Sequence, residues 1–133
     1  MVADLYHYGH VEFLRTARAL GDELIVGVHS DEVVTSYKRA PVMSMDERIR
    51  VVESCRLVDE VLADAPLTVS ESWVTQHRLD LVAHGDDLDP EMEQRFYGYP
   101  IEAGIYRVVP HTVGISTSDI LERIRARLAG GDL

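Results

Sequence analysis

Short β-branched runs alternate with helix-spaced apolar stretches along this chain, and that alternation constrains its fold more than any other feature. Leu24-Ile25-Val26-Gly27-Val28 is a nearly continuous apolar run, the pattern of a strand buried on both faces, and it ends at His29-Ser30-Asp31. Val58 to Leu62, Leu79 to Ala83 and Ile105 to Val109 read as further strands. Between them lie helical spacings. Val11, Leu14 and Ala17 lead to a stop at Gly21-Asp22; Ile49, Val52 and Cys55 follow the capping box Ser44-x-x-Glu47; Ser70 caps a stretch through Trp73 and His77. The stretch from Pro90 to Gly104 starts as a helix and is broken by Gly98 and Pro100, while Ile120, Leu121, Ile124 and Leu128 predict one buried face on a last helix after Ser116 and Thr117. Such alternation implies right-handed βαβ crossovers, hence an α/β fold whose parallel sheet is covered by helices on both faces.

The 133 residues leave room for one domain, taken here as 1–133, and bury roughly two-thirds of the unfolded surface, so no cross-link or metal is needed for a core. The lone cysteine, Cys55, falls on a helical face and is expected to pack. No apolar run approaches the roughly 20 residues of a membrane span and no signal-peptide pattern opens the chain, so the expected location is the cytoplasm, with no membrane partner. With 13 basic against 23 acidic residues the formal charge is −10, which repels nucleic acid, and no basic patch offsets it. Twelve of the basic residues are arginines; Lys38 is the only lysine, a place where a compact ammonium has a use that a guanidinium lacks.

Ligands of parallel sheets bind beyond the carboxyl ends of the strands. The loops there are His29-Ser30-Asp31, His84-Gly85-Asp86-Asp87 and His111-Thr112-Val113-Gly114-Ile115-Ser116-Thr117, all polar and suited to phosphate. Asp4-Leu5-Tyr6-His7-Tyr8-Gly9-His10 leads into the first helix as such a loop should, yet only Met1 to Ala3 precede it, so the strand expected to feed it is missing. His7-x-Gly9-His10 sets two imidazoles at a helix N-terminus, where unpaired N–H groups favour an anion. Gly114-Ile115-Ser116-Thr117 opens the last helix either as an ordinary N-cap or as a second anion seat. Two seats on one sheet edge suit a polyphosphate, with Lys38, Arg48 and Arg56 as countercharges. A zinc hydrolase, using His84 with Asp86 or Asp87, is a rival reading of the same histidines.

These segments, with Ala19 to Glu32, Tyr37-Lys38, Glu47-Arg48 and Cys55-Arg56-Leu57-Val58-Asp59-Glu60-Val61, resemble the cytidylyltransferases of choline-phosphate, ethanolamine-phosphate and glycerol-3-phosphate type, over nearly the whole chain. The resemblance implies a Rossmann-like nucleotidyltransferase fold, usually homodimeric with the Arg56 to Val61 segment near the dimer contact. It implies transfer of CMP from CTP, with Mg2+, to a small phosphate or phosphonate acceptor and release of pyrophosphate. By the same resemblance His7, His10, Lys38 and Arg56 are catalytic. Asp4, Leu5, Gly9, Arg48, His84, Gly85, Asp86, His111, Thr112, Gly114, Ile115, Ser116 and Thr117 hold the nucleotide, with Arg48 helping to order the site, and Asp31 and Lys38 serve the acceptor. Two departures stand out: His111 replaces an arginine usual in the family, with Val113 where an acidic residue is common, and the first strand is reduced to Val2-Ala3-Asp4. The start is therefore expected to be trimmed or misassigned. An adenylyltransferase of the same fold and a non-catalytic nucleotide-binding relative are the alternatives.

Overall fold

Parallel pairing needs long crossovers, and helices fill them. The computed structural model describes residues Met1–Leu133. In chain order the elements are α1 (Tyr8–Arg18), β1 (Ile25–Gly27), α2 (Asp31–Thr35), α3 (Met45–Glu53), β2 (Glu60–Leu62), α4 (Glu71–Gln76), β3 (Val82–Gly85), α5 (Pro90–Glu102), β4 (Tyr106–Val109) and α6 (Thr117–Gly130). β1 pairs parallel with β2, Val26 opposite Val61, and β3 pairs parallel with β4, Val82 opposite Tyr106. The α/β class holds, but the single expected sheet is divided into two separate pairs, because no strand bridges β1 and β3.

Alternate residues of β1 face opposite layers. Val26, with Val28 just beyond the strand, packs on Leu14 of α1 and Val52 of α3, and Cys55 lies against the same cluster. Gly27 faces the other way, toward Ala65 and the Trp73 ring of α4. Ile25 and Gly27 are only half-buried, less than the both-face burial expected, because the β1 edge away from β2 is open.

Ser44 and Glu47 form the expected capping box, and Ser70 and Ser116 cap α4 and α6. The loop after β1 conceals a short helix, α2, whose Ser30 Oγ accepts the Val33 N–H at 3.1 Å. α5 is two helical stretches joined across a kink at Tyr97 (φ −121°, ψ 16°), beside the break expected at Gly98, and the second stretch carries Pro100 on to Glu102. Pro100 has no N–H for the Phe96 carbonyl, which accepts the Val69 N–H at 2.8 Å instead, so the group orphaned at the kink is satisfied. The buried face expected on α6 is also corrected: no residue of α6 is buried, and Ile124 and Leu128 are exposed. The helix is tied in at its first turn, where Thr117 Oγ1 donates to the Asp4 carbonyl at 2.9 Å, and its later apolar positions stand open. No helix is long and apolar enough to cross a membrane.

The site end of the fold is gathered by one side chain. Arg48 on α3 has no solvent exposure, and its guanidinium donates to the carbonyls of Met43 (3.1 Å), Val2 (2.8 Å) and His29 (2.9 Å) and to the Asp31 carboxylate (2.6 Å). The N-terminal segment, the end of β1, α2 and the loop before α3 are thereby joined. Replacing Arg48 by leucine leaves these acceptors, the buried His29 carbonyl above all, without their shared donor and should cost about 3 kcal/mol, lowering Tm by about 10 °C. Lysine, a point charge without the planar fork, should recover less than half of that loss in urea unfolding.

Candidate functional site

Asp4 makes the turn that aims α1. The residues on either side of it, Ala3 (φ 59°) and Leu5 (φ 48°), are left-handed, a strained choice for side chains of this kind. The strain is held because the buried Asp4 carboxylate accepts the N–H groups of Val42 and Met43, each at 2.9 Å, so Asp4 clamps the Lys38 loop to the N-terminus.

His7 is then the N-cap of α1 and His10 its third residue, and the two make a reciprocal capping box from imidazoles. His7 Nδ1 accepts the Gly9 N–H and His10 Nδ1 accepts the His7 N–H, both at 3.1 Å. Each Nδ1 is therefore unprotonated, and the neutral rings carry their hydrogen on Nε2. His7 Nε2 lies 3.4 Å from Thr117 Oγ1, whose own hydrogen goes to Asp4, so the direction of donation is fixed along the chain His7, Thr117, Asp4. The rings lie 3.9 Å apart between centroids, and Tyr6 stacks on His10. Gly9 is required by space: a Cβ there would meet His7 at 2.8 Å and Ile115 at 3.0 Å.

Across a cavity of about 700 Å3 stands the N-terminus of α6. Gly114 (φ 95°) turns the chain, and Ser116 caps the helix by accepting the Asp119 N–H at 3.0 Å. The positive ends of two helices thus open on one cavity, together with the N–H groups and hydroxyls of Ser116 and Thr117.

The remaining wall carries Lys38, its Nζ 5.2 Å from the Tyr37 ring centre, and the loop after β3. Burial holds the Lys38 ammonium below its ordinary pKa, with Asp87 opposing the shift. His84 Nδ1 donates to the Gly85 carbonyl at 3.1 Å and its ring lies against Tyr97. The Asp86 carboxylate takes both the backbone N–H (3.2 Å) and Nδ1 (3.1 Å) of His111, bonds that hold its pKa below the usual carboxylate range.

The cavity therefore gathers Asp4, His7, Gly9, His10, Lys38, His84, Gly85, Asp86, His111, Thr112, Ile115, Ser116 and Thr117 of the expected set. Five expected residues are not among its lining. Arg48 is enclosed by carbonyl partners and orders the walls instead; Asp31 is its counter-ion; Leu5 belongs to the strained turn behind the site; Gly114 supplies a turn; and Arg56, exposed just past α3, stands away from the cavity. His29, Tyr37 and Asp87 line the cavity without having been assigned a role. The strand-end rule touches the loops of His29 and Asp87, but nothing in the local sequence marks Tyr37 as more than a loop aromatic. No group of three or more His, Cys, Asp or Glu side chains is arranged to hold a metal ion, so the zinc-hydrolase reading gains no support.

Paired helix N-termini and neutral histidine donors around a strand-end cavity define an α/β domain whose cavity walls present donors of the kind that suit an anion. Comparisons give that class its family: the cytidylyltransferase-like family profile matches residues 2–123, and the chain belongs to that family. It is 47% identical over 126 residues to the ethanolamine-phosphate cytidylyltransferase of Dictyostelium discoideum, covering 91% of this chain and 35% of that protein. Against choline-phosphate cytidylyltransferase A of Homo sapiens the identity is 41% over 126 residues, with 92% and 34% covered. The chain thus spans about a third of the length of these curated relatives. The lipopolysaccharide core biosynthesis protein from Thermoplasma volcanium GSS1 shares the fold, with a TM-score of 0.66 over 84% of this chain and 91% of that one at 23% identity.

Burial pushes His10 and His29 down to about 4, with neighbouring positive charge adding to the shift, and lowers His7 and His84 in the same direction. The unfolded chain, with histidines near 6.5, binds more protons than the folded one between about pH 6.5 and 4. Stability should therefore be full above pH 6.5 and decline as pH falls through that window, by about 1.4 kcal/mol per pH unit for each titrating histidine. Urea midpoints at pH 7.5, 6 and 5 check this. His29→Asn, which keeps a donor for the Ala65 carbonyl now 3.0 Å from Nδ1, should flatten the decline by about one proton.

Proposed function

We propose that this chain is a CTP-dependent cytidylyltransferase domain acting on phosphoethanolamine or phosphocholine, of which phosphoethanolamine is the preferred acceptor. The observation that carries the reading is the pair of α1 and α6 N-termini opening on one cavity with His7, His10, Ser116 and Thr117 between them. The names of the relatives, ethanolamine-phosphate first at 47% identity and choline-phosphate at 41%, support the acceptor class.

In this reading the CTP triphosphate lies between the two helix ends, its β- and γ-phosphates toward Ser116 and Thr117. The nucleoside lies toward His84, Gly85, Asp86 and the Asp86–His111 pair, with Thr112 and Ile115 beside it. Lys38 draws in the acceptor phosphate. An acceptor oxygen attacks the α-phosphorus in line; the new O–P bond forms as the bond to the β-phosphate oxygen breaks, and pyrophosphate leaves with its charge. The nucleophile is already an anion, so no general base is required, and catalysis is positioning plus stabilisation of equatorial charge. His7 and His10 serve as N–H donors rather than as cations, matching their lowered pKa values. Mg2+ belongs with CTP: the cavity offers separate carboxylates rather than a cluster, which fits an ion carried on substrate phosphates. A homodimer of the family kind completes the proposal, and sedimentation tests it.

The test is pyrophosphate release with MgCTP or MgATP against phosphoethanolamine, phosphocholine, glycerol phosphate and small phosphonates. CTP-dependent release with phosphoethanolamine is expected; release with ATP alone would identify an adenylyltransferase, and CTP binding without turnover across the panel a non-catalytic relative. His10→Ala should lower kcat by on the order of 100-fold with little change in folding. Thr117→Val, which cuts the link from His7 to Asp4, should lower kcat by about 10-fold. Arg56→Ala should leave kcat within about twofold, since Arg56 stands outside the cavity.

A further inference from the structure

We infer that His29 and Asp87 recognise a primary ammonium on the acceptor, so that their end of the cavity takes phosphoethanolamine and disfavours its trimethylated counterpart. The inference rests on the cytidylyltransferase reading and names the residues that choose the acceptor. Both side chains line the cavity, and neither holds CTP in that reading.

His29 stands at the end of β1 with 5% of its surface exposed, and it is fixed from two sides. Its carbonyl takes the Arg48 guanidinium at 2.9 Å, and its Nδ1 donates to the Ala65 carbonyl at 3.0 Å. With hydrogen on Nδ1, the neutral ring keeps a lone pair on Nε2, and no group of the protein donates to it. Burial keeps the ring neutral down to about pH 4, so this lone pair is present at neutral pH. His7 and His10 have the opposite tautomer, and their Nε2 hydrogens suit phosphate oxygens. A buried acceptor without a donor is a group that a ligand N–H satisfies.

Asp87 supplies the charge. Its carboxylate lies 4.0 Å from His84 Nδ1, but that nitrogen already donates to the Gly85 carbonyl and burial disfavours a charge on the His84 ring, so the contact is not an ion pair. The field of Asp87 reaches the Lys38 ammonium, yet no ion pair joins the two, and each is left for a ligand. A cation and an anion at one end of the cavity match an acceptor that is itself a zwitterion, with its phosphate toward Lys38 and its ammonium toward Asp87 and His29. The three N–H donors of a primary ammonium divide between the carboxylate and the His29 Nε2. A trimethylammonium has no N–H and is recognised instead by the faces of aromatic rings. The cavity lining has two carbocyclic rings: Lys38 Nζ already sits 5.2 Å from the centre of Tyr37, and Phe13 packs against the core around Val26.

The experiment measures pyrophosphate release with MgCTP and phosphoethanolamine or its N-methyl, N,N-dimethyl and trimethyl forms. In the wild-type protein kcat/KM should fall at each methylation, by about 100-fold over the series. Asp87→Asn sits at a position whose side chain is 67% exposed, so folding should not suffer. It should lower kcat/KM for phosphoethanolamine about 30-fold, through KM, and leave the KM for CTP and the kcat/KM for the trimethyl form within about threefold. His29→Asn should lower kcat/KM for phosphoethanolamine about 10-fold, and in both variants the decline across the methylated series should flatten. Tm measurements confirm that both fold; should His29→Asn unfold, Asp87→Asn decides alone. The inference is overturned if the folded variants keep wild-type selectivity across the series, or if Asp87→Asn raises the KM for CTP as much as that for phosphoethanolamine. A wild-type protein that prefers the trimethyl acceptor overturns it too, while the cytidylyltransferase reading stands. A wild-type protein that releases no pyrophosphate with any of the four acceptors overturns that reading, and the inference with it.

Discussion

The buried guanidinium of Arg48 is the interaction on which the site depends. Three carbonyls and one carboxylate from three stretches of chain, around Val2, around His29 and Asp31, and at Met43, converge on it, and the buried His29 carbonyl would otherwise lack this partner. A planar fork with five donors can hold this many acceptors at fixed angles, which an ammonium on a flexible stem cannot. Because Val2 and His29 are among the acceptors, the N-terminal turn is locked to the end of β1, and the turn in turn aims α1 at the cavity.

A second clamp completes the arrangement. Asp4 holds the loop that follows Lys38 by two backbone N–H groups, and its carbonyl holds Thr117 at the start of α6. Arg48 and Asp4 thus do at the walls what the Nδ1 acceptors of His7 and His10 do in the first turn: each fixes polar groups before any ligand arrives. Donors oriented in advance cost no reorganisation when charge develops beside them, which is what the proposed phosphate chemistry would draw on. Burial favours the neutral form of both histidines, and the backbone N–H that each Nδ1 accepts places the remaining hydrogen on Nε2.

Much of this was legible locally. The capping box at Ser44, the caps at Ser70 and Ser116, the His7 and His10 pair and the strand-end loops depend on contacts within a few residues, and short-range patterns report them faithfully. Arg48, expected to help order the site, makes its tie through partners 5, 17, 19 and 46 residues away, which sequence does not reveal because an arginine on a helix looks the same whether it faces solvent, substrate or carbonyls. Arg56 stands apart from the cavity: α3 stops at Glu53, so helical spacing does not carry the face of Arg48 on to Arg56. The break in α5 beside Gly98 was legible, but not the bond from Val69 that satisfies the carbonyl Pro100 leaves unpaired.

The sequence by itself determined the α/β class, the order of the elements and the two helix N-termini with their histidines and hydroxyls, because hydrophobic period and capping chemistry are local. Only the tertiary structure decided that Arg48 is a tie, that Asp4 is a clamp, that α6 keeps an open apolar face, and that the parallel strands form two pairs with a cleft between them. Those outcomes turn on which distant groups meet in three dimensions and which are left without partners.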